Sequence, residues 1–219
     1  SLRLPLDGAT EGRFGRFRRP EISSSTVPKR IIPVASGKGG VGKTTFAVNF
    51  ALALSRFAPT ILVDLDTGTS SVRSSLAAPV TKDLYHFHRK GAQLPECITR
   101  LDPSFDRTGQ YRRFGFVAGP KHFIEEMGNP SAEFRRRLSE AVNALPVDYV
   151  VLDLRAGLDA NVLDFLPYTN SGMLVVTPNL PQATLAASDI VKAILFRTLR
   201  MIFAPGSEVY TLPGLADGR

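Results

Sequence analysis

Apolar residues gather in five short runs, at 31–35, 60–66, 114–118, 149–153 and 172–177, and polar or helix-patterned segments separate them. The runs are rich in Val, Ile and Leu and hardly alternate with polar residues. That is the pattern of strands buried on both faces. Pro33 is an awkward member of the first run, because it has no N–H to give a central strand. Helical spacing appears over 43–57, around 70–76, and over 131–145, 161–165 and 188–203. Strands alternating with helices predict an α/β fold, a mostly parallel β-sheet flanked by helices on both faces.

Individual segments sharpen this picture. The 43–57 helix is apolar nearly all round (Phe46, Ala47, Val48, Phe50, Ala51, Leu52), which predicts deep packing against the sheet. Residues 131–145 are amphipathic, with Ser131 as the expected N-cap and Arg135, Arg136 and Arg137 on a solvated face. The 188–203 helix joins Ile190, Ile194, Leu195, Leu199 and Ile202 to Lys192, Arg197 and Arg200. That composition suits a membrane surface, but its place directly after a strand favours a sheet-covering helix. Residues 81–113 read only as short helices broken by Pro95 and Pro103, and Gly68 to Ser75 as a polar flexible stretch. His86 and His88, two apart, form a metal pair only on a strand and have no third ligand nearby.

Between the first run and the first helix stands Ser36-Gly37-Lys38-Gly39-Gly40-Val41-Gly42-Lys43-Thr44-Thr45, which fits G-x-x-x-x-G-K-[ST]. Strand, glycine-rich loop and helix occur in the order a phosphate cradle needs. The amides of Gly37, Gly39, Gly40, Val41 and Gly42 can turn toward an anion at the helix N-terminus. Lys43 then reaches β/γ-phosphates and the Thr44 hydroxyl sits on Mg²⁺. Parallel sheets bind ligands at the carboxyl ends of their strands, where Asp64, Asp66 and Asp153 stand. Asp153 closes an apolar strand and would hold Mg²⁺ opposite Thr44, with Asp64 and Asp66 ordering metal waters and the attacking water. The chemistry expected of this set is Mg²⁺-dependent nucleoside triphosphate hydrolysis.

Composition adds limits. The chain has 219 residues, 43% hydrophobic and 21% charged, enough for one domain with a sizeable core. It has no apolar run long enough to cross a membrane and no signal-type apolar core at its start, so a cytoplasmic protein is expected. A single cysteine, Cys97, forms no internal disulfide and argues against an iron–sulfur cluster. Net charge is +7 with pI ≈ 9.9. More than half of the excess lies in residues 1–30, where Arg3, Arg13, Arg16, Arg18, Arg19, Lys29 and Arg30 outnumber Asp7, Glu11 and Glu21. The expected organisation is a flexible basic arm (1–30), a P-loop domain (31–204) and an irregular tail (205–219). Arg13-Phe14-Gly15-Arg16-Phe17-Arg18-Arg19 can grip DNA or an anionic membrane surface, or serve only as a solvated linker.

Lys38 to Thr45 resembles the deviant Walker A box of MinD/ParA-type ATPases, with its second lysine early in the loop. Val63-Asp64-Leu65-Asp66 resembles that family's next motif, Asp153-Leu154-Arg155-Ala156-Gly157 its D-x-x-A-G switch II, and Val176-Thr177-Pro178-Asn179 its strand end near the base. The span 153–165 is similar to the MinD and flagellar-number-regulator branch. The resemblance covers about residues 31–200. It implies a cytoplasmic, Mg²⁺-dependent P-loop ATPase that forms an ATP-sandwiched homodimer and works with a regulatory protein partner, at the inner membrane face in some relatives. By that resemblance Lys38 reaches the partner's phosphates, Thr45 contacts the α-phosphate, Gly157 offers its amide to the γ-phosphate side, and Asp66 helps activate water. Lys38 would then have little to do within one subunit. Arg155 stands where relatives carry a small residue or proline, and three roles stay open for it: γ-phosphate, dimer partner or solvent. No Asn-Lys or Asn-Arg pair follows a later strand, so base reading falls to Pro178, Asn179 and neighbours or to residues beyond Arg219. The rival reading is a module of the same fold with little hydrolysis, acting as a regulator or scaffold.

Overall fold

Neighbouring residues of a strand point to opposite faces of its sheet, and here both faces are apolar. The computed structural model describes residues 29–66, 71–121, 130–158, 160–166 and 172–204. Its strands are β1 (Arg30–Ala35), β2 (Thr60–Asp64), β3 (Ile98–Thr99), β4 (Phe114–Val117), β5 (Tyr149–Asp153) and β6 (Met173–Leu174). Its helices are α1 (Lys43–Ser55), α2 (Ser71–Leu76), α3 (Leu84–Arg89), α4 (Ala132–Ala144), α5 (Ala160–Phe165) and α6 (Pro181–Ile202), with a 3-10 turn at Leu94–Cys97. Ile61, Val63, Val150 and Leu152 pack on one side with Phe87 of α3, Phe134, Leu138 and Val142 of α4, and Ile190 of α6. Leu62, Val151, Phe114 and Phe116 pack on the other with Ala47, Val48 and Ala51 of α1 and Val72 and Leu76 of α2. A mostly parallel sheet covered by helices on both faces is thus the observed architecture.

The sheet runs β3-β4-β2-β5-β1-β6. All pairings are parallel except β3 with β4. That antiparallel edge strand is absent from the sequence reading, because two residues between Pro95 and Pro103 are too few to show a period. Pro33 is accommodated by register. The Val34 carbonyl accepts from Leu154 N–H on the β5 side and the Ala35 carbonyl from Val175 N–H on the β6 side. Alternation turns Pro33 toward β6, whose pairing begins only at Val34, so no ladder bond is lost.

Several expectations need correction. The fifth strand shrinks from 172–177 to two residues, since only Met173 and Leu174 register with β1 and Thr177 beyond them bonds to the phosphate loop. Helix α1 ends at Ser55 and is buried on one face only, with Phe46 and Phe57 exposed and Phe46 stacked on Phe50 at 5.6 Å. Arg137 is exposed, as expected of that face, yet it is tied to a neighbouring helix. Its guanidinium donates to the Phe87 carbonyl at 2.6 Å and covers the Phe87 ring at 4.8 Å, pinning α4 to α3. Arg136 does stay outside, paired with Glu140. Ser131 caps α4 as expected, its Oγ accepting from Phe134 N–H.

Helix α6 departs furthest. It starts at Pro181 rather than 188, because proline at the first helical turn has its φ preset and no N–H to waste. Ala183, Ala187 and Ile190 are buried, but every residue from Leu195 to Phe203 is exposed. The sheet-covering role therefore holds for the first half only, and Phe196 (65% exposed) and Met201 (68%) stand clear of the body. His86 and His88 lie on a helix, and among the described residues no trio of His, Cys, Asp or Glu is placed to cage a metal. The basic arm, apart from Lys29 and Arg30, the start of the polar stretch near Gly68 and the 205–219 tail lie outside the described residues.

Candidate functional site

Strand β1 delivers the chain at Ser36, and the loop climbs through Gly37 to Gly42 before α1 begins. Gly42 is the N-cap at φ 87°, a left-handed conformation costly for any other residue. No side chain caps the helix, and its first turn carries no acidic residue. The amides at this end are left for an anion, and the helix dipole favours one there. A Cβ on Gly39, Gly40 or Gly42 would meet nothing within 4 Å, so the loop borders open space. Gly37 is the opposite case: its Cβ would fall 2.4 Å from the Ala186 carbonyl carbon and 2.5 Å from Ala187 N. Glycine is required there because the loop lies directly on the backbone of α6.

The charged centre lies at the start of α1. Lys43 Nζ donates to Asp153 Oδ1 at 2.5 Å, and Thr44 Oγ1 donates to Asp153 Oδ2 at 2.7 Å. Asp66 Oδ2 stands 3.8 Å from the same ammonium. Lys43 and Asp153 are both buried. Asp64 and Asp153 are register partners on β2 and β5, which sets two carboxylates side by side inside the sheet. Asp64 is fully buried; Oδ1 accepts from Asp66 N–H at 3.1 Å, and Oδ2 has no hydrogen-bond partner among the described residues. Burial pushes the Asp64 carboxyl up to about 7, and the Asp153 charge adds to it. Burial also raises Asp153, opposed by the Lys43 ammonium and the Thr44 hydroxyl.

The remaining expected residues fall around this centre. Gly157 N–H donates to the Ser36 carbonyl at 2.9 Å, which draws the 153–157 turn against the loop. That amide is engaged within the chain rather than offered to a γ-phosphate, a difference from the expectation for Gly157. Thr177 Oγ1 donates to the Val41 carbonyl at 3.5 Å, carrying exposed Pro178 and Asn179 to the loop's edge. Lys38 has an intrachain role that was not expected, its Nζ donating to Gln182 Oε1 at 2.6 Å. Thr45 is exposed, and its carbonyl accepts from Asn49. Ser36 and Thr177 stood in quoted motifs without a role of their own, and Gln182 is the contributor that pattern reading missed. The signal for Gln182 was Pro181, a helix-start residue followed by a polar side chain.

These residues fit a Mg²⁺-nucleotide. An open, glycine-rich cradle, a helix N-terminus, a cation and a hydroxyl meet one carboxylate, and one buried carboxylate oxygen lacks a partner among the described residues. Thr44 and Asp153 are too few to cage a metal alone, as suits Mg²⁺, which keeps waters and relies on substrate phosphates.

Comparison with known proteins agrees with this geometry. Residues 32–194 match the family described as the CobQ/CobB/MinD/ParA nucleotide binding domain. The chain is 28% identical over 199 residues to the chloroplastic septum site-determining protein minD homolog of Arabidopsis thaliana, covering 84% of this chain and 56% of that protein. It is 26% identical to the flagellum site-determining protein YlxH of Helicobacter pylori over 171 residues, 74% of this chain and 53% of that one. The Pyrococcus horikoshii septum site-determining protein MinD, solved with Mg-ADP, superposes with a TM-score of 0.62 at 23% identity, covering 78% of this chain and 66% of that one. The chain spans about half the length of the curated relatives it matches. With residues 32–194, well over half of its length, matched, the chain belongs to the CobQ/CobB/MinD/ParA nucleotide-binding domain family.

Proposed function

We propose that this protein is a Mg²⁺-dependent ATPase switch that dimerises on ATP and positions a partner or cargo. The observation that carries the reading is the convergence of Lys43 and Thr44 on Asp153 at the start of α1. Bound Mg²⁺ would neutralise charge on the phosphate oxygens. With nucleotide bound, Lys43 would exchange its carboxylate partner for the β/γ-phosphates, and Thr44 and Asp153 would hold the metal. Asp66, partly open to solvent and beside Lys43, accepts a hydrogen bond from the attacking water and orients it. The loop amides and the α1 N-terminus would hold the phosphates.

Lys38 supports the dimer part of this reading, because it lies outside the Lys43 cluster on an exposed part of the loop. Relatives carry names for septum and flagellum site determination, and a positioning role in the cytoplasm follows by analogy alone. Measured ATP turnover of the wild type against Lys43→Ala tests the enzyme. Loss of turnover in the variant supports the reading, and equal rates overturn it. Tight ATP binding without turnover in the wild type would favour the regulatory-module reading instead. The basic arm is assigned to an anionic surface, DNA or lipid. Deleting residues 1–28 should weaken binding to both DNA and anionic liposomes and flatten its salt dependence, and unchanged binding to both would reduce the arm to a linker.

A further inference from the structure

Gln182 occupies the first turn of α6, directly after Pro181. Side chains on a helix lean toward its N-terminus, and this one leans onto the phosphate loop, where Oε1 accepts from Lys38 Nζ at 2.6 Å. The contact is not left to two wandering side chains. Gly37 lies so close to the Ala186–Ala187 backbone that no Cβ fits between them. The loop residue before Lys38 is therefore fixed against α6, and the Lys38 Cα stays within reach of Gln182.

The chemistry of this contact makes it releasable. An amide oxygen is a neutral acceptor, and both side chains are exposed. The ammonium also sits at the positive end of the α6 dipole, where a cation is disfavoured. A triphosphate offers Lys38 several charged oxygens, and these add a Coulombic attraction that a neutral amide oxygen lacks.

We propose that Gln182 is a positioning residue for Lys38: it holds the loop lysine against the lysine's own chain, and its release is a step on the way to the ATP-bound dimer. The proposal rests on the dimer-switch reading above. It adds a residue that sets how readily the switch is thrown. Gln182→Ala removes the acceptor and frees Lys38. Gln182→Glu replaces it with a carboxylate, which binds the ammonium more tightly and suits the helix N-terminus. The two variants should therefore move in opposite directions, which a merely structural role for position 182 would not produce.

The test uses the full chain and two readouts. The first is the acylation rate of Lys38 by an amine-reactive ester without nucleotide, followed by peptide mass spectrometry, with a Thr184→Ala variant as a control on the same turn. Gln182→Ala should raise the rate about threefold and Gln182→Glu lower it by a similar factor, in keeping with one solvent-exposed hydrogen bond. The second is the dimer dissociation constant in Mg²⁺-ATP by sedimentation, expected to fall for Gln182→Ala and rise for Gln182→Glu. Equal Lys38 acylation in wild type and both variants overturns the proposal even where the wild type dimerises. Acylation that shifts as expected while every form stays monomeric supports the tether and overturns the dimer reading instead.

Discussion

Lys43 and Asp153 meet at 2.5 Å beneath the surface, the ammonium from the first residue of α1 and the carboxylate from the last residue of β5. Helix and strand are joined here by charge as well as by apolar packing. Removing one member of a buried pair leaves the other charge without compensation, which costs more than the pair itself contributes. Lys43→Ala should therefore destabilise the nucleotide-free protein by about 3 kcal/mol, in addition to abolishing turnover. The double variant Lys43→Ala/Asp153→Asn should recover part of that loss, because the stranded charge is gone. Urea denaturation of the wild type, Lys43→Ala and the double variant checks this. A single variant as stable as the wild type would mean that the pair opens to water in solution.

Asp64 makes the fold sensitive to pH. Its carboxyl titrates at about 7 in the folded chain against 3.8 as the unperturbed value. Between those values the folded state binds more protons than the unfolded state, so stability falls as pH rises from about 4 through 7. The penalty is fully present above the folded value and is on the order of a few kcal/mol. Asp64→Asn keeps the shape and an acceptor for Asp66 N–H without the charge. In metal-free and nucleotide-free protein it should be more stable than wild type at pH 8, with the gap closing toward pH 5. Parallel denaturation curves at every pH would show that burying this carboxylate costs nothing.

How much of this could be read in advance depended on the physics of each segment. Strands β1, β2, β4 and β5 are buried on both faces, so their apolar runs stood out. The phosphate loop was legible because glycine spacing, Lys43 and Thr44 answer one local demand, and Asp153 because a carboxylate ending an apolar strand is unusual. What stayed hidden was set by tertiary contact. Arg137 looked like a solvated charge, and only the approach of α3 gives its guanidinium the Phe87 carbonyl. Lys38 looked unoccupied because Gln182 is far away in sequence and is brought near only by the return of α6 across the loop. Edge strand β3 is too short for any period to register.

The Gly37 contact separates two glycines of one loop. A Cβ at Gly37 would fall at 2.4 to 2.7 Å from Ala186 and Ala187 atoms, two of them backbone, whereas one at Gly39 would meet nothing within 4 Å. Overpacking against a backbone that cannot yield costs about 1–3 kcal/mol. Gly37→Ala should lower the melting temperature of the nucleotide-free protein and loosen the start of α6, raising amide exchange near Ala186. Gly39→Ala should leave both unchanged without nucleotide. Equal melting temperatures for the two variants would show that α6 does not press on the loop.

Helix α6 offers a test of its own two halves. Ile190 is fully buried in the core formed with α3 and α4, so Ile190→Ala should cost about 2–5 kcal/mol through lost burial and the cavity it leaves. Phe196, one and a half turns on, is 65% exposed, and a substitution at such a site usually falls within about 0.5 kcal/mol. Phe196→Ser should therefore be neutral in denaturation, despite removing a larger side chain. The contrast rests on the first half of the helix being anchored and the second projecting. If Phe196→Ser proved as costly as Ile190→Ala, the projecting half would be packed in solution. A midpoint that then rose with protein concentration would assign the cover to a second copy, since mass action links stability to assembly.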